Sequence, residues 1–366
     1  MKELKDIGQQ RRQFLKASAL GLTALAAPAI IRSANASTGI MIYTWETYHE
    51  DPWLAEWTKA TGIPVRVVRA GTVDEMFANM RSGAIQPDVL WFDSGSIKRY
   101  VEAELIYPID PSRLSNLGMI TAGLKWREMN SLNGKVWGVP YNWGTQPLMY
   151  NEQVVQTPNT WQALWDKKYV GKVSMFDDGY ITFPMIALAV GAHDPFNLTS
   201  TEFDRCRDAL RKLRGQVKVL ARGWNDAQTM YASGDAVIGY CQNISIPYNL
   251  MNQGKKFSYV FPKEGTPTWV DNAVITKRGN REEVYRFIND NLSATWQARF
   301  IKFSGNNGIL SSDEARKAKL PDDLLKRTNI IDQDSPSFWP KMALFRSPES
   351  IEKRIQIWTD FKSGTL

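Results

Sequence analysis

Two cysteines and two histidines are all that 366 residues contain of these types. His49 and His193 are too few for a histidine-rich metal centre, so no metal ligands are expected. Two cysteines do not make a disulfide framework. Cys206 lies in STEFDRCRDALRKLR, where Phe203, Cys206, Leu210 and Leu213 share one helical face, and Cys241 ends the strand-like run AVIGYC. Both read as buried thiols. No stretch after the first 36 residues is long and apolar enough to cross a membrane. Internal repeats, low-complexity segments, long linkers and adjacent tyrosine pairs are also missing.

The excess of positive charge is small and unevenly placed. MKELKDIGQQRRQFLK is polar and basic, ASALGLTALAAPAII is a short, alanine-rich apolar run, and Ala34-Asn35-Ala36 has the small flanking residues of a signal-peptidase site. Arg11-Arg12-Gln13-Phe14-Leu15-Lys16 fits the twin-arginine export pattern, with Gln10 where that pattern has Ser. Residues 1–36 therefore read as a twin-arginine signal peptide, and the mature protein is expected in the periplasm. Their removal takes away six basic and two acidic groups and lowers the formal charge from +7 to +3. So small a charge gives no support for a nucleic-acid partner. A protein that folds in the reducing cytoplasm before export also favours free thiols, although a Cys206–Cys241 bridge stays open.

From residue 39 the pattern alternates. GIMIYTW is a strand; Asp51 and Pro52 open a helix carrying Trp53, Leu54 and Trp57, which Gly62 ends. IPVRVV is a second strand, and Thr72 with Glu75 forms a capping box for the next helix. PDVLWF, continuously apolar, is a third strand of a sheet covered on both faces. This βαβαβα order is a doubly wound unit, and about 330 mature residues suffice for two lobes. KVWGVPYNWGTQPLMYN reads as strand, turn and strand, and WVDNAVI as a later strand. The helix ESIEKRIQIWTDF puts Ile351, Ile355 and Trp358 on one stripe against a lobe.

In open parallel sheets ligands sit beyond the carboxyl ends of the strands. The first strand ends on Trp45-Glu46-Thr47-Tyr48 and the third on Asp93-Ser94-Gly95-Ser96. Both loops open on the same edge of the sheet, so the aromatic and acidic cluster is expected to line a cleft. Trp53, Trp57, Trp161 and Trp165 are assigned to the core, and Glu50 and Asp51 to the solvated surface.

Five segments in register, YTWETY, PDVLWFDSGSIKRYVEAELIYPID, WGVPYNWGTQPLMYN, WQALWDKKYVGKVSMFDD and FPKEGTPTWVDNAVI, resemble the periplasmic solute-binding proteins of ABC importers, and among them the spermidine/putrescine-binding family. The resemblance implies an α/β fold of two doubly wound lobes joined by crossing strands, type II-like. It implies an N-terminal lobe of 37–142 plus 270–312 and a C-terminal lobe of 143–269 plus 313–366. It implies a monomeric, non-enzymatic receptor without cofactor, which captures an amine, polyamine or zwitterion and delivers it to an inner-membrane ABC permease. The ligand-binding residues it implies are Trp45, Glu46, Tyr48, Asp93, Ser94, Asp178, Trp224, Tyr240, Trp269 and Asp271.

The chain departs from the family pattern at four positions. Thr47 stands where the first acidic residue is usual, Gly95 and Ser96 where paired tyrosines are usual, and Ile181 where a further Glu is usual. A binder of small anions or carboxylates at Ser94–Ser96 is one alternative, and the two ideas combine for a zwitterion. A ferric-ion binder would want adjacent tyrosines. A thiaminase-like enzyme would need a cleft cysteine activated by a nearby His and acid, which neither Cys206 nor Cys241 shows.

Overall fold

The computed structural model describes residues 39–366, so the expected signal peptide lies outside the described residues. Two sheets organise the chain. In the first, β1 (Ile40–Thr44) pairs in parallel with β2 (Val65–Arg69) and β3 (Val89–Asp93). Beyond two short strands, β4 (Ser131–Leu132) and β5 (Lys135–Val136), β6 (Val139–Thr145) joins this sheet. In the second, the order is β11-β7-β10-β8-β9, from β7 (Leu148–Asn151), β8 (Val173–Phe176), β9 (Val217–Ala221), β10 (Ile238–Tyr240) and β11 (Phe257–Val260). The chain then returns to the first sheet as β12 (Thr266–Ile275) and later β13 (Met342–Leu344).

β12 holds the first sheet together. Along one edge it pairs antiparallel with β6, Thr268 opposite Thr145 and Asp271 opposite Asn142. Along the other it meets β13 at Thr266–Thr268 and then β3 at Asp271–Ile275. The ladder thus carries the first sheet through Thr145 and resumes it at Thr266, beyond the divisions expected at 142/143 and 269/270. The chain crosses between sheets at Gln146–Pro147, and Gln146 N–H donates to the Pro267 carbonyl where the return crossing arrives. The C-terminal segment also divides differently. Ala315, Leu320, Leu324, Leu325, Ile330 and Phe338 pack into the first core, whereas Ile357, Trp358 and Phe361 pack into the second. The last helix (Ile351–Ser363) buries Arg354, Ile357, Trp358 and Phe361, leaving Ile355 exposed, so its buried face lies beside the expected stripe.

Local signals set most helix ends. The helix Asp51–Thr61 ends on Gly62 at φ 74°, but its N-cap is Glu50, with Asp51 and Pro52 in the first turn. Thr72 accepts from Glu75 N–H, while the Glu75 carboxylate turns to Gly71 N–H, so only half of the capping box forms. His49 ties the end of β1 to the helix Glu282–Asn291. Its Nδ1 meets Thr44 Oγ1 at 3.0 Å and its Nε2 meets Asn291 Oδ1 at 2.6 Å. Burial pushes this imidazole down to about 3, so it stays neutral with the proton on Nε2.

Cys206 and Cys241 are free, buried and in different core clusters, and burial raises each thiol to about 12. A thiol-specific disulfide reagent is therefore expected to titrate no cysteine in the native protein at pH 8 and two in urea. One or two rapid equivalents in the native state would contradict this placement.

Candidate functional site

The strand-end cluster divides at Thr47. This residue takes a left-handed φ of 69°, which breaks the alternation of an extended chain. Glu46 is consequently turned out, its side chain 74% exposed and 3.5 Å from Arg69 Nε. Tyr48 is turned in and buried. Its hydroxyl donates to Asp271 Oδ2 at 2.6 Å and accepts from Asn142 Nδ2 at 3.2 Å, while Tyr141 Oη donates to the Tyr48 carbonyl at 2.6 Å. Tyr141 is the extra residue where β6 slips register between its pairings with Asp271 and Asn272. The bulge aims Asn142 at Tyr48 and, through Oδ1, at Gly308 N–H.

Asp93 and Asp271 are direct partners across the β3–β12 ladder, which puts their side chains on one face. Burial raises Asp271 to about 7; the Tyr48 hydroxyl opposes the rise and the nearby Asp93 adds to it. The Trp45 indole N–H is buried without a hydrogen-bond partner among the described residues. Burial also raises Asp93, against hydrogen bonds to Oδ2 from Ser96 and to Oδ1 from Tyr180, each 2.8 Å. Trp269, two residues before Asp271, lies across Gly144 opposite it, where any Cβ would collide with the ring. Trp45, Tyr48, Asp93, Trp269 and Asp271 thus meet at one edge of the first sheet.

The second lobe reaches this edge through the helix Gly179–Ala189. Asp178 caps it, Oδ1 accepting from Tyr180 N–H at 2.8 Å and Ile181 N–H at 2.9 Å, and burial raises this carboxyl as well. Tyr180 crosses to Asp93. Gly95 makes that approach possible, because a Cβ there would strike both the Tyr180 hydroxyl and the Asp93 carboxylate. Tyr240 is buried, its hydroxyl at 2.6 Å from Gln146 Oε1 and 3.0 Å from the Ile181 carbonyl, so it braces the crossing and the helix start. Among the described residues no lysine or arginine forms an ion pair with Asp93, Asp178 or Asp271.

Of the remaining expected site residues, Ser94 faces away from this edge. It points into a buried network with Asn130 Oδ1, the Val270 carbonyl and Asn272 Nδ2. Trp224 begins the helix Trp224–Ser233, and its side chain lies outside the described residues. Sequence reasoning missed Tyr180, although it follows Asp178 by two residues in DDGY, and it read Gly95 as a lost aromatic rather than as room for one. Among the described residues no group of three or more His, Cys, Asp or Glu side chains could hold a metal. An open groove of about 740 Å³ lined by Trp53, Arg299, Lys302 and Phe303 contains none of these carboxylates.

Comparison with known proteins agrees with this architecture. The family described as "bacterial extracellular solute-binding protein" matches residues 53–323. The spermidine/putrescine-binding periplasmic protein 1 of Haemophilus influenzae is 26% identical over 264 residues, 70% of this chain and 71% of that one. The putrescine/agmatine-binding protein of Pseudomonas aeruginosa is 20% identical over 365 residues, 94% of this chain and 97% of that one. The crystal structure of the spermidine/putrescine ABC transporter substrate-binding protein PotD from Streptococcus pneumoniae superposes with a TM-score of 0.77 at 21% identity, covering 89% of this chain and 99% of that one. With its two α/β lobes, its crossing strands and this match over most of its length, the chain belongs to the bacterial extracellular solute-binding proteins.

Proposed function

We propose that the protein captures a small ammonium-bearing solute between its lobes and delivers it to a membrane permease. The observation that carries this reading is the group of buried carboxylates, Asp93, Asp178 and Asp271, none of them ion-paired with a lysine or arginine among the described residues. Buried acids are stable when paired or hydrogen-bonded, and a cation arriving from outside supplies the missing pair. Asp271 is the primary counter-charge, Tyr48 fixes its orientation, and Trp45 and Trp269 provide faces for the cation and its methylenes. Relatives that are spermidine/putrescine-binding proteins support an amine as ligand. The remaining parts of the proposal are export by the twin-arginine signal, action as a monomer, and absence of catalysis and of a nucleic-acid partner.

Two alternatives find less support. The hydroxyls of Ser94 and Ser96 are engaged with Asn130 and Asp93, which disfavours an anion at that loop. A nucleophilic cysteine requires a thiolate at neutral pH, and both thiols are pushed the other way.

Closure is proposed to run through the Asp93–Tyr180 bond, with hinges at Gln146–Pro147 and residues 261–265. A ligand drives closure only by binding the closed arrangement more tightly than the open one. Gly95→Val is expected to hold the lobes apart, raising the radius of gyration in solution scattering without loss of circular-dichroism signal. Tyr180→Phe removes one hydrogen bond to a charged group and is expected to weaken ligand binding by about 1.5–3 kcal/mol. Unchanged scattering in the first variant and unchanged affinity in the second would sink the latch.

The pH dependence follows from Asp271. Burial raises its carboxyl from the ordinary 3.8 to about 7, so below pH 7 it is mostly protonated. An ammonium, which stays charged to about pH 10, binds the ionised form and expels that proton. The association constant is therefore expected to rise about tenfold per pH unit up to pH 7 and then level. Calorimetry at pH 6 in phosphate and in Bis-Tris, buffers of different ionisation enthalpy, would count the released proton. Asp271→Asn should abolish the proton release and weaken binding at least about tenfold. Trp45→Ala and Trp269→Ala should each cost about 0.5–2 kcal/mol at constant pH. Proton-neutral binding that survives Asp271→Asn would move the site elsewhere.

A further inference from the structure

One buried polar side chain at the lobe boundary has nothing to bond to. Gln242 is 4% exposed, and neither its Nε2 nor its Oε1 has a hydrogen-bond partner among the described residues. The other buried carboxamides with an orphaned atom, Gln216, Asn307, Asn329 and Gln333, each bond through their remaining one. Leaving both ends of a primary amide dry and unpaired is costly, and proteins seldom do so without a use for the group.

The neighbours of Gln242 place it between the lobes. It follows the carboxyl end of β10, the kind of edge on which open sheets hold ligands. Two residues earlier, the Tyr240 hydroxyl meets the Ile181 carbonyl in the turn that Asp178 caps. One residue later, Asn243 Nδ2 donates across to Asn306 Oδ1 at 3.2 Å, just beyond the helix Ala294–Ser304 of the first lobe.

Given the amine reading above, on which this step rests, we propose that Gln242 receives the second pole of the ligand. That pole is a neutral group that both donates and accepts, such as a carboxamide. A second ammonium would satisfy only Oε1, and a carboxylate only Nε2; a carboxamide meets both in a paired, two-bond contact. The surrounding charges agree. Asp93 already takes a hydroxyl on each oxygen, Asp178 spends Oδ1 on two backbone N–H groups, and Ile181 carries no charge. The solute class is thus an amino-amide, with its ammonium at Asp271 and its amide at Gln242.

Three ligands with a four-carbon chain separate these terms: n-butylamine, putrescine and 4-aminobutanamide. Calorimetric titration of the purified protein, refolded free of carried-over solute, is expected to rank 4-aminobutanamide at least tenfold tighter than either other ligand. Gln242→Leu should remove that advantage while leaving n-butylamine unchanged. The isosteric Gln242→Glu, which keeps the volume if the leucine variant fails to fold, should reverse the ranking toward putrescine by tenfold or more. Wild-type preference for putrescine, or an unchanged ranking in the Gln242→Glu variant, would overturn the assignment of Gln242. Binding of n-butylamine with no gain from the carboxamide would overturn that assignment alone. Silence toward all three ligands would overturn the amine reading itself.

Discussion

The ladder pairing of Asp93 with Asp271 is the constraint on which the rest of this site turns. Antiparallel partners share a face, so the β3–β12 register forces two carboxylates together at the edge of the first sheet. Burial raises both, the nearby Asp93 adds to the rise of Asp271, and the protein answers with hydroxyls rather than with cations: Tyr48 on one acid, Ser96 and Tyr180 on the other. Hydroxyl donors steady a carboxylate without neutralising it. On the proposed reading a solute supplies the missing charge, and one of those donors belongs to the opposite lobe. In that proposal ligand charge and lobe position are coupled through a single pair of residues, Asp93 and Tyr180.

The architecture was legible because its signals are local and periodic. Apolar runs of strand length, glycines closing helices and the order strand–helix–strand need no knowledge of the rest of the chain. The carboxyl-edge rule then located Trp45, Tyr48 and Asp93, and the resemblance to solute-binding proteins added Trp269 and Asp271. Failures came where a residue's direction depended on something other than alternation. Glu46 and Tyr48 sit two apart and would face alike in a strand, but the left-handed Thr47 between them sends one to solvent and the other inward. Ser94 continues the alternation from Asp93 and so enters the opposite, structural network around Asn130 and Asn272.

Other features were illegible because they exist only between distant segments. Tyr180 matters through Asp93, 87 residues earlier, and Gly95 matters through what Tyr180 needs. A glycine replacing an expected aromatic looks like a loss when the first lobe is read alone. With both lobes present it is a substitution across the cleft, the ring being delivered from the other side. The C-terminal segment was misplaced for a similar reason. Amphipathic helices announce that they pack, not on which of two cores, and here residues 315–338 serve the first while 357–361 serve the second.

The two halves of the site are built with unequal rigidity, and that bears on the proposed sequence of capture. In the first lobe Tyr48 is held by Asn142 and packed against Tyr141 and Phe300, and below it His49 locks β1 to a helix as a neutral donor. The bulge at Tyr141 fixes Asn142 from both oxygen and nitrogen. In the second lobe, by contrast, the corresponding groups ride on a helix cap and on the turn after β10, and Gln242 has no hydrogen-bond partner among the described residues. A preorganised half loses little entropy on meeting a ligand, whereas an unsatisfied half gains the most from being completed. Capture on the first lobe followed by closure of the second is the order these opposite requirements favour. On that order the first lobe sets the charge that the protein admits, and the second decides which charged solute stays.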